Sequence, residues 1–302
     1  MNAPGNPPFA PPPIPAGRLA RLGVVLDIAA PLDVVQRLAI LCDRAGIDAV
    51  WLADRLHIDR PGEWLDASAA AAVAGAACAR ARLGVAVAST PHGGENDLPS
   101  RAPAAAQELM LSGIGAGLRT VDSAPLRVSV ILDDPDDLQA LLDEADDVVL
   151  PSWRFPDLET AADEVRARAR DGGRDPTTLG VAVLLPVSIG RTQAEAEARA
   201  DPDELFARIG HPDEYGIFGT LEECQDRVIA LRHAGISDLR CMLPATEDLH
   251  DVIAQLTAIT IGSTDVLVPG SLRSSAPPPP VGWGGRRETS GAPRVSGGSR
   301  RR

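Results

Sequence analysis

The chain has 302 residues, a formal net charge of -13 at pH 7, 44% hydrophobic residues and only 3% aromatic residues. Because phosphate backbones are bound by clustered cations, this acidic balance argues against nucleic acid as the main partner. No window approaches the roughly 18 consecutive apolar residues of a membrane-spanning helix, and the N-terminal stretch MNAPGNPPFAPPPIPAG does not resemble a signal peptide. We therefore expect a soluble, cytoplasmic protein with no membrane partner.

The two ends of the chain differ in composition from its middle. Residues 1–17 are rich in Pro, and residues 270–302 are rich in Pro, Gly and Arg. Segments of this kind bury too little apolar surface to order themselves. We expect two disordered tails, with a single folded domain between them at 18–269.

The cysteines predict no metal site. Cys42, Cys78, Cys224 and Cys241 are widely spaced, with no C-x-x-C pair and no nearby histidine at ligand spacing. The expected state of these residues is the free thiol of a cytosolic protein.

Between the tails, short apolar runs alternate with helical patterns. The runs predicted as strands are 22–29, 49–54, 83–90, 108–117, 126–132, 146–153, 179–190 and 238–245. The predicted helices are 31–46, 65–81, a weaker one near 100–108, 134–145, 157–173, 192–209, 219–235 and 247–259. Eight strands alternating with helices predict an α/β fold of the (β/α)₈ TIM-barrel type, with an open doubly wound sheet as the alternative. In a barrel, the functional residues are expected at the carboxyl ends of the strands.

The stretch SGIGAGLRT, at 112–120, is glycine-rich but does not match a dinucleotide-binding turn. Its glycines follow a G-x-G-x-G pattern, whereas that turn needs G-x-G-x-x-G at the start of a helix. Only residues 118–124 separate the glycines from the next strand, which is too short for the usual crossover helix. We therefore predict that the helix between strands four and five is missing or reduced. A homodimer or a related barrel subunit is then expected to cover the gap.

Four longer stretches carry a family resemblance. They are PLDVVQRLAILCDRAGIDAVWLADRLH (31–57), ELMLSGIGAG (108–117), IGRTQAEAEARA (189–200) and GIFGTLEECQDRVIALRHAGISDLRCMLP (216–244). In order and spacing they resemble the bacterial luciferase-like monooxygenases, and together they cover most of residues 20–262. The resemblance implies a TIM barrel, an oxidoreductase or monooxygenase activity on a small organic substrate, and FMN or the deazaflavin coenzyme F-420 as cofactor.

The resemblance also implies a site at the strand ends. The implied catalytic residues are His57 and Asp54. The implied cofactor contacts are Ser89, Thr90, Gly115, Ala116, Gly117, Gly219 and Thr220. The implied substrate contacts are Trp153 and Arg154.

Ordinary structural roles remain open for several of these residues. Asp54 would serve equally as a helix cap, and Thr220 with Glu223 fits a capping box without any ligand. Arg154 would pair at the surface with Asp157.

Two other functions also remain open. The family has histidine directly after the strand-two aspartate, whereas this chain has Arg55 there and its nearest imidazole is His57. Together with the missing helix, this departure favours the alternative of a catalytically degenerate barrel that acts as a cofactor-binding or partner subunit. A third possibility is a non-redox barrel that binds a phosphorylated metabolite through Gly219 and Thr220.

Overall fold

The computed structural model describes residues 13–27, 32–54, 67–88, 108–112, 127–132, 134–142, 145–244 and 248–261. The strands in these ranges are β1 (Arg21–Asp27), β2 (Ala49–Asp54), β3 (Arg82–Ala88), β4 (Glu108–Ser112), β5 (Arg127–Ile131), β6 (Asp147–Pro151), β7 (Gly180–Ile189), β8 (Ile217–Gly219) and β9 (Asp238–Met242). The α-helices are α1 (Leu32–Ala45), α2 (Ala67–Ala77), α3 (Leu138–Leu142), α4 (Leu158–Asp171), α5 (Gln193–Ala200), α6 (Glu204–Ile209), α7 (Pro212–Tyr215), α8 (Leu221–His233) and α9 (Leu249–Ile259). None of these helices is long and apolar enough to cross a membrane.

Eight of the strands close into a parallel barrel. Each strand from β1 to β6 pairs with the next, β6 pairs with β7, β7 pairs with β9, and β9 returns to β1. The prediction of a TIM-type barrel is therefore confirmed, and an open doubly wound sheet is excluded. The eight ring strands are the eight that the apolar runs predict, because strands buried on both faces form continuous apolar segments.

Strand β8 lies outside this ring and was not predicted. It pairs in parallel with the end of β7, where Val187 is in register with Ile217 and Ile189 with Gly219. The strand has only 3 residues, too few to produce an alternating or continuous apolar pattern. Because β7 has 10 residues, it extends past the ring, and β8 widens the sheet at the carboxyl end of the barrel.

The predicted loss of the helix between strands four and five falls on residues 113–126, outside the described residues. The neighbouring strands are nevertheless parallel, with Glu108 in register with Arg127. The content of the connection between these two strands stays a prediction. The two predicted tails also lie almost wholly outside the described residues.

Local sequence signals account for most helix boundaries. Asp157 begins α4 by accepting a hydrogen bond from the N–H of Thr160 at 3.0 Å. Gly46 and Gly235, which follow α1 and α8, have φ values of 79° and 77°, a left-handed conformation that glycine adopts without strain. The predicted helix through 192–200, with more helix to about Ile209, is found as α5 and α6. The two are separated after Ala200, where Pro202 lacks the N–H that a continuous helix needs.

The largest side chain in the middle of the barrel, among the described residues, is the indole of Trp51. Trp51 of β2 is 1% exposed, and its ring lies across the two neighbouring strands at Gly23 and Gly84. A Cβ at Gly84 would lie 2.3 Å from the ring, and one at Gly23 would lie 2.9 Å from the indole nitrogen. Glycine is required at both positions because the ring occupies the space of the missing side chains.

We expect Gly84→Ala to lower the free energy of unfolding by about 1–3 kcal/mol, because the added methyl group overpacks the Trp51 ring. Gly172→Ala is the matched control, since a Cβ there first meets the mobile end of Gln139 at 3.2 Å. Urea unfolding followed by circular dichroism measures both variants. Equal stability of the two variants would contradict the close packing of Trp51 on Gly84.

Candidate functional site

Most of the residues predicted for the site lie outside the described residues. These are His57, Ser89, Thr90, Gly115, Ala116 and Gly117, and their roles stay predictions. Asp54 is the last residue of β2, in register with Val87 of β3. Its backbone therefore lies at the carboxyl end of a ring strand, as predicted. Its side chain is outside the described part of the structure.

The carboxyl end of the barrel, called the barrel mouth below, has an apolar rim. Trp153 follows β6 and packs on the cluster of side chains inside the barrel. Ile209, at the end of α6, and Phe218, in β8, pack on the same cluster and are also half-buried. Phe206 and Met242 of that cluster are 1% and 4% exposed. The predicted substrate residue Trp153 thus lies where a ligand in the barrel mouth would be.

Ser152 precedes Trp153 and was missed by the sequence analysis. It is 1% exposed, and its backbone N–H donates to the carbonyl oxygen of Leu184 at 2.9 Å. Its hydroxyl group is buried and has no hydrogen-bond partner among the described residues. Buried hydroxyl groups are nearly always bonded, so an unbonded one at a strand end is a candidate ligand contact. The only feature of the sequence that could have pointed to Ser152 is its position at the end of a predicted strand.

Arg154 is exposed, and the expected surface pair with Asp157 does not form. Within the described part of the chain, Asp157 instead caps α4 through Thr160, accepting from its N–H and, at 2.7 Å, from its hydroxyl. These two hydrogen bonds lower the pKa of Asp157 below its ordinary value. The Arg154 guanidinium is therefore left beside the barrel mouth in contact with solvent.

Thr220 and Glu223 form the capping box that the sequence left open as an alternative. The Thr220 N–H and hydroxyl each donate to Glu223 at 2.8 Å, and the Thr220 hydroxyl accepts from the Glu223 N–H. These bonds lower the pKa of the Glu223 carboxyl, the backbone bond most. Gly219 has a φ of 113°, and a Cβ there would lie 2.5 Å from the Glu223 carboxylate. The cap thus accounts for both residues without a ligand, and their contact with a cofactor stays a prediction.

The opposite end of the barrel interior holds a network of buried charges. Arg127 donates to Asp147 through Nε at 2.6 Å and also through Nη2. Arg21 donates to Asp238 at 2.6 Å. These four residues begin β5, β6, β1 and β9, so their side chains close the amino-terminal end of the barrel. We call this network, together with Arg240, the barrel floor.

Arg240 joins the two ion pairs of the barrel floor. Its Nη2 lies 3.7 Å from both Asp147 and Asp238, and donates to the Ser129 hydroxyl at 2.8 Å. The guanidinium carbon lies 4.0 Å from the centroid of the Trp51 ring, a cation–π contact. The charged floor and the apolar middle of the barrel are therefore in direct contact.

The barrel floor depends on the charge of Asp147. Burial by itself would raise the pKa of this carboxyl, but the hydrogen bonds and charge of Arg127, with the charges of Arg240 and Arg21, hold it below its ordinary value. Burial lowers the pKa of Arg240, while Asp238 and Asp147 act in the opposite direction. The network was missed because the alternation of charged and apolar residues in DLRCM does not show which distant residues pair.

All four cysteines are free thiols, as predicted. Burial raises the pKa of Cys42 to about 12 and that of Cys78 to about 11. Because the thiolate is the reactive form, neither group is an effective nucleophile near neutral pH. Among the described residues, no group of three or more His, Cys, Asp or Glu side chains is arranged to hold a metal ion.

No protein-family model and no curated protein sequence matches the chain. Solved structures match it well. It is similar to the coenzyme F-420-dependent tetrahydromethanopterin reductase of Methanopyrus kandleri, at 12% identity and a TM-score of 0.63, covering 80% of this chain and 98% of that one. This chain has the fold of that enzyme.

Two further structures show the same likeness. One is an F-420-dependent secondary alcohol dehydrogenase, with 14% identity, a TM-score of 0.64, and coverage of 80% of this chain and 98% of that one. The other is the monooxygenase RslO1 from Streptomyces bottropensis, with 12% identity, a TM-score of 0.61, and the same coverage values of 80% and 98%. The barrel described above is thus shared with three redox enzymes over nearly their whole length.

We expect Asp147→Asn to lower the free energy of unfolding at neutral pH by about 3–5 kcal/mol, because it removes a buried carboxylate charge that Arg127 and Arg240 share. The folded-state pKa of Asp147 is lowered, so its contribution is complete above the unfolded value of about 3.9 and is lost as the pH falls through the folded value. Urea unfolding from neutral pH to about pH 3 should show the difference from wild type shrinking at the acid end.

Asp163→Asn is the control for this experiment. Asp163 pairs with Arg166 at 3.2 Å, but its side chain is 74% exposed, so its removal should change stability by no more than about 0.5 kcal/mol. If Asp147→Asn costs no more than this control, the barrel floor does not support the fold.

We expect Ser152→Ala to leave the free energy of unfolding unchanged or to raise it, because the buried hydroxyl has no partner to lose within the described structure. Thermal unfolding of the ligand-free protein measures this. A loss of more than about 1 kcal/mol would mean that the hydroxyl is bonded within the protein.

Proposed function

We propose that the protein is a flavin- or deazaflavin-dependent oxidoreductase of the luciferase-like class that acts on a small organic substrate. The observation that carries this proposal is the shared barrel. It matches an F-420-dependent reductase, an F-420-dependent alcohol dehydrogenase and a monooxygenase at TM-scores of 0.63, 0.64 and 0.61. The four stretches that resemble the luciferase-like family support the same class independently, since they were recognised without the fold. No observation on the described residues favours the catalytically degenerate alternative.

The barrel mouth fits a planar cofactor such as FMN or coenzyme F-420. Beneath it lie small and medium apolar side chains, among them Val25, Ala86 and Ile131, which offer a flat, dry surface to a ring. The half-buried Trp153 supplies an aromatic wall. When bound, the cofactor supplies the redox chemistry, and the protein binds it, orients it and excludes water.

The remaining roles in this proposal follow from residue chemistry. His57 exchanges protons with the substrate, because imidazole titrates near neutral pH, and Asp54 orients it. Ser89, Thr90 and residues 115–117 contact the cofactor, the glycines by close approach of bare backbone. Arg154 offers an exposed guanidinium to an anionic group of the substrate or of the cofactor.

We also propose a cytoplasmic location, a single barrel domain at 18–269 with disordered tails, and a homodimer or related subunit that covers the fourth crossover. Size-exclusion chromatography with light scattering tests the dimer. Limited proteolysis tests the tails, which should be removed first while the barrel persists.

The decisive experiment is titration of the purified chain with oxidised and reduced FMN and, separately, with coenzyme F-420. We expect one of the two to bind with a dissociation constant at or below the tens of micromolar range. Failure of both cofactors to bind would refute the proposal.

Measuring the turnover rate tests whether the bound cofactor also reacts. With the cofactor that binds, its reductant and oxygen or a hydride acceptor, His57→Ala should reduce the turnover rate by about a hundredfold or more and leave cofactor affinity unchanged. His233→Ala is the control, because His233 is an exposed residue in the last turn of α8, away from the strand ends. Equal turnover in His57→Ala and His233→Ala would remove His57 from the catalytic role.

A further inference from the structure

A groove runs along the outside of the barrel between α1 and α9, and we call it the α1–α9 groove. Its volume is about 660 Å³. Its floor is formed by Ile40, Leu41 and Ala45 of α1 and by Ala254 and Thr257 of α9. Because most of these side chains are short, the surface is recessed between the two helices.

The two helices that form this groove are neighbours in the barrel wall. They follow β1 and β9, which pair in the ring with Leu22 in register with Leu239. The hydroxyl of Thr257 lies 3.5 Å from the carbonyl oxygen of Ala45, the last residue of α1. The groove is therefore a fixed part of the outer surface.

The outermost face of α1 combines charged and apolar side chains. Among the residues that the helix buries toward the core are Val35, Ala39 and Cys42. At 3.6 residues per turn, the opposite face presents Asp33, Arg37, Ile40 and Arg44 in one stripe. Ile40 is half-buried, and within the described structure it is not one of the side chains that pack on the main core cluster. An apolar side chain thus lies among charged ones on a face directed away from the core.

The ends of this stripe carry opposite charges. Asp33 is in the first turn of α1 and Arg44 in the last. They are three turns apart, about 16 Å along the helix axis, which is too far for contact within one chain. Asp33 pairs with Arg37 at 3.1 Å, but both side chains are 72% exposed, so the carboxylate still meets solvent. Arg44 is exposed as well.

The stripe is complementary to a reversed copy of itself. When a second α1 packs antiparallel on the first, about a two-fold axis near residues 38 and 39, each Asp33 lies opposite the partner's Arg44. In the same register, each Ile40 lies opposite the aliphatic stem of the partner's Arg37. A two-fold axis makes every such contact twice, because the same patch is used on both sides.

We propose that two copies of this chain form a homodimer through the outermost face of α1 and the α1–α9 groove. The α1 helix of each copy lies in the groove of the other, with Ile40 and Leu41 at the apolar centre and the pairs of Asp33 with Arg44 at the rim. This division into an apolar centre and a charged rim is that of ordinary protein interfaces. The contact does not depend on the proposed redox function.

This surface differs from the one proposed above to cover the fourth crossover. In the ring, β9 and β1 lie on the side opposite β4 and β5. If both surfaces bind a subunit, the wild-type chain forms a tetramer, and variants of the α1 contact stop at the dimer.

Sedimentation velocity of the full chain at several concentrations tests the proposal. We expect wild type to associate reversibly at the α1 contact, with a dissociation constant of about 1–100 μM. Arg44→Asp places a carboxylate opposite the partner's Asp33, and Asp33→Arg places a guanidinium opposite the partner's Arg44. Each change should raise the dissociation constant at least about tenfold, because it turns two attractive contacts into two repulsive ones.

The double variant Asp33→Arg/Arg44→Asp gives the sharpest result. It restores opposite charges across the two-fold axis, so its dissociation constant should return to within about threefold of the wild-type value. Since the two positions are too far apart to interact in one chain, recovery can arise only between chains. Circular dichroism and thermal unfolding check that all three variants are folded.

Arg168→Asp is the matched control. Arg168 is a half-exposed arginine on α4 that pairs with Glu164 at 3.1 Å, away from the groove. This variant changes the net charge by the same amount as Arg44→Asp does. It should associate as wild type does.

Three outcomes would overturn the proposal. The first is a monomer at every concentration, which would leave the groove to another occupant, such as the segment that follows Ile261. The second is an association that neither single variant weakens, which would assign it to another face of the barrel. The third is weakening in both single variants without recovery in the double variant, which would exclude the reciprocal pairing of Asp33 with Arg44.

Discussion

The fold depends on how the inside of the barrel is filled, and the pair of Asp147 with Arg127 is central to that. Only 3% of the residues are aromatic, and many inward positions are Ala or Gly, so apolar side chains alone leave space at the floor. Long guanidinium groups fill it instead. Because a buried guanidinium requires a carboxylate, Asp147 and Asp238 are needed at the starts of β6 and β9. Arg240 joins the two pairs, and its contact with Trp51 links them to the apolar middle of the barrel.

This arrangement separates stability from function along the barrel axis. At the floor, carboxylates and guanidinium groups are held by mutual pairing and hydrogen bonds, which leaves these groups fixed. At the mouth, by contrast, Trp153, Ile209 and Phe218 are apolar and half-buried. These side chains leave apolar surface open to a planar ring, which is why the cofactor site is proposed at this end.

The sequence predicts the ring strands well and the interactions across the barrel poorly, for physical reasons. Parallel strands buried on both faces appear as continuous apolar runs, and all eight were found. The pairing of Arg21 with Asp238 joins residues 217 positions apart, and no local pattern reports such a contact. The short β8 was missed because it has only 3 residues. The positions of the strand ends follow from the apolar runs, whereas the burial of Ser152 depends on distant residues that pack around it.

Arginine packs and pairs at the barrel floor in ways that lysine would not. Lysine would place a compact charge on a flexible stem, which neither stacks on Trp51 nor bonds two acceptors at once. Arginine does both, and it stays charged when buried, so the floor keeps its positive charge at any pH at which the protein folds. A barrel closed by guanidinium groups therefore keeps this end sealed by ion pairs for as long as Asp147 and Asp238 stay ionised.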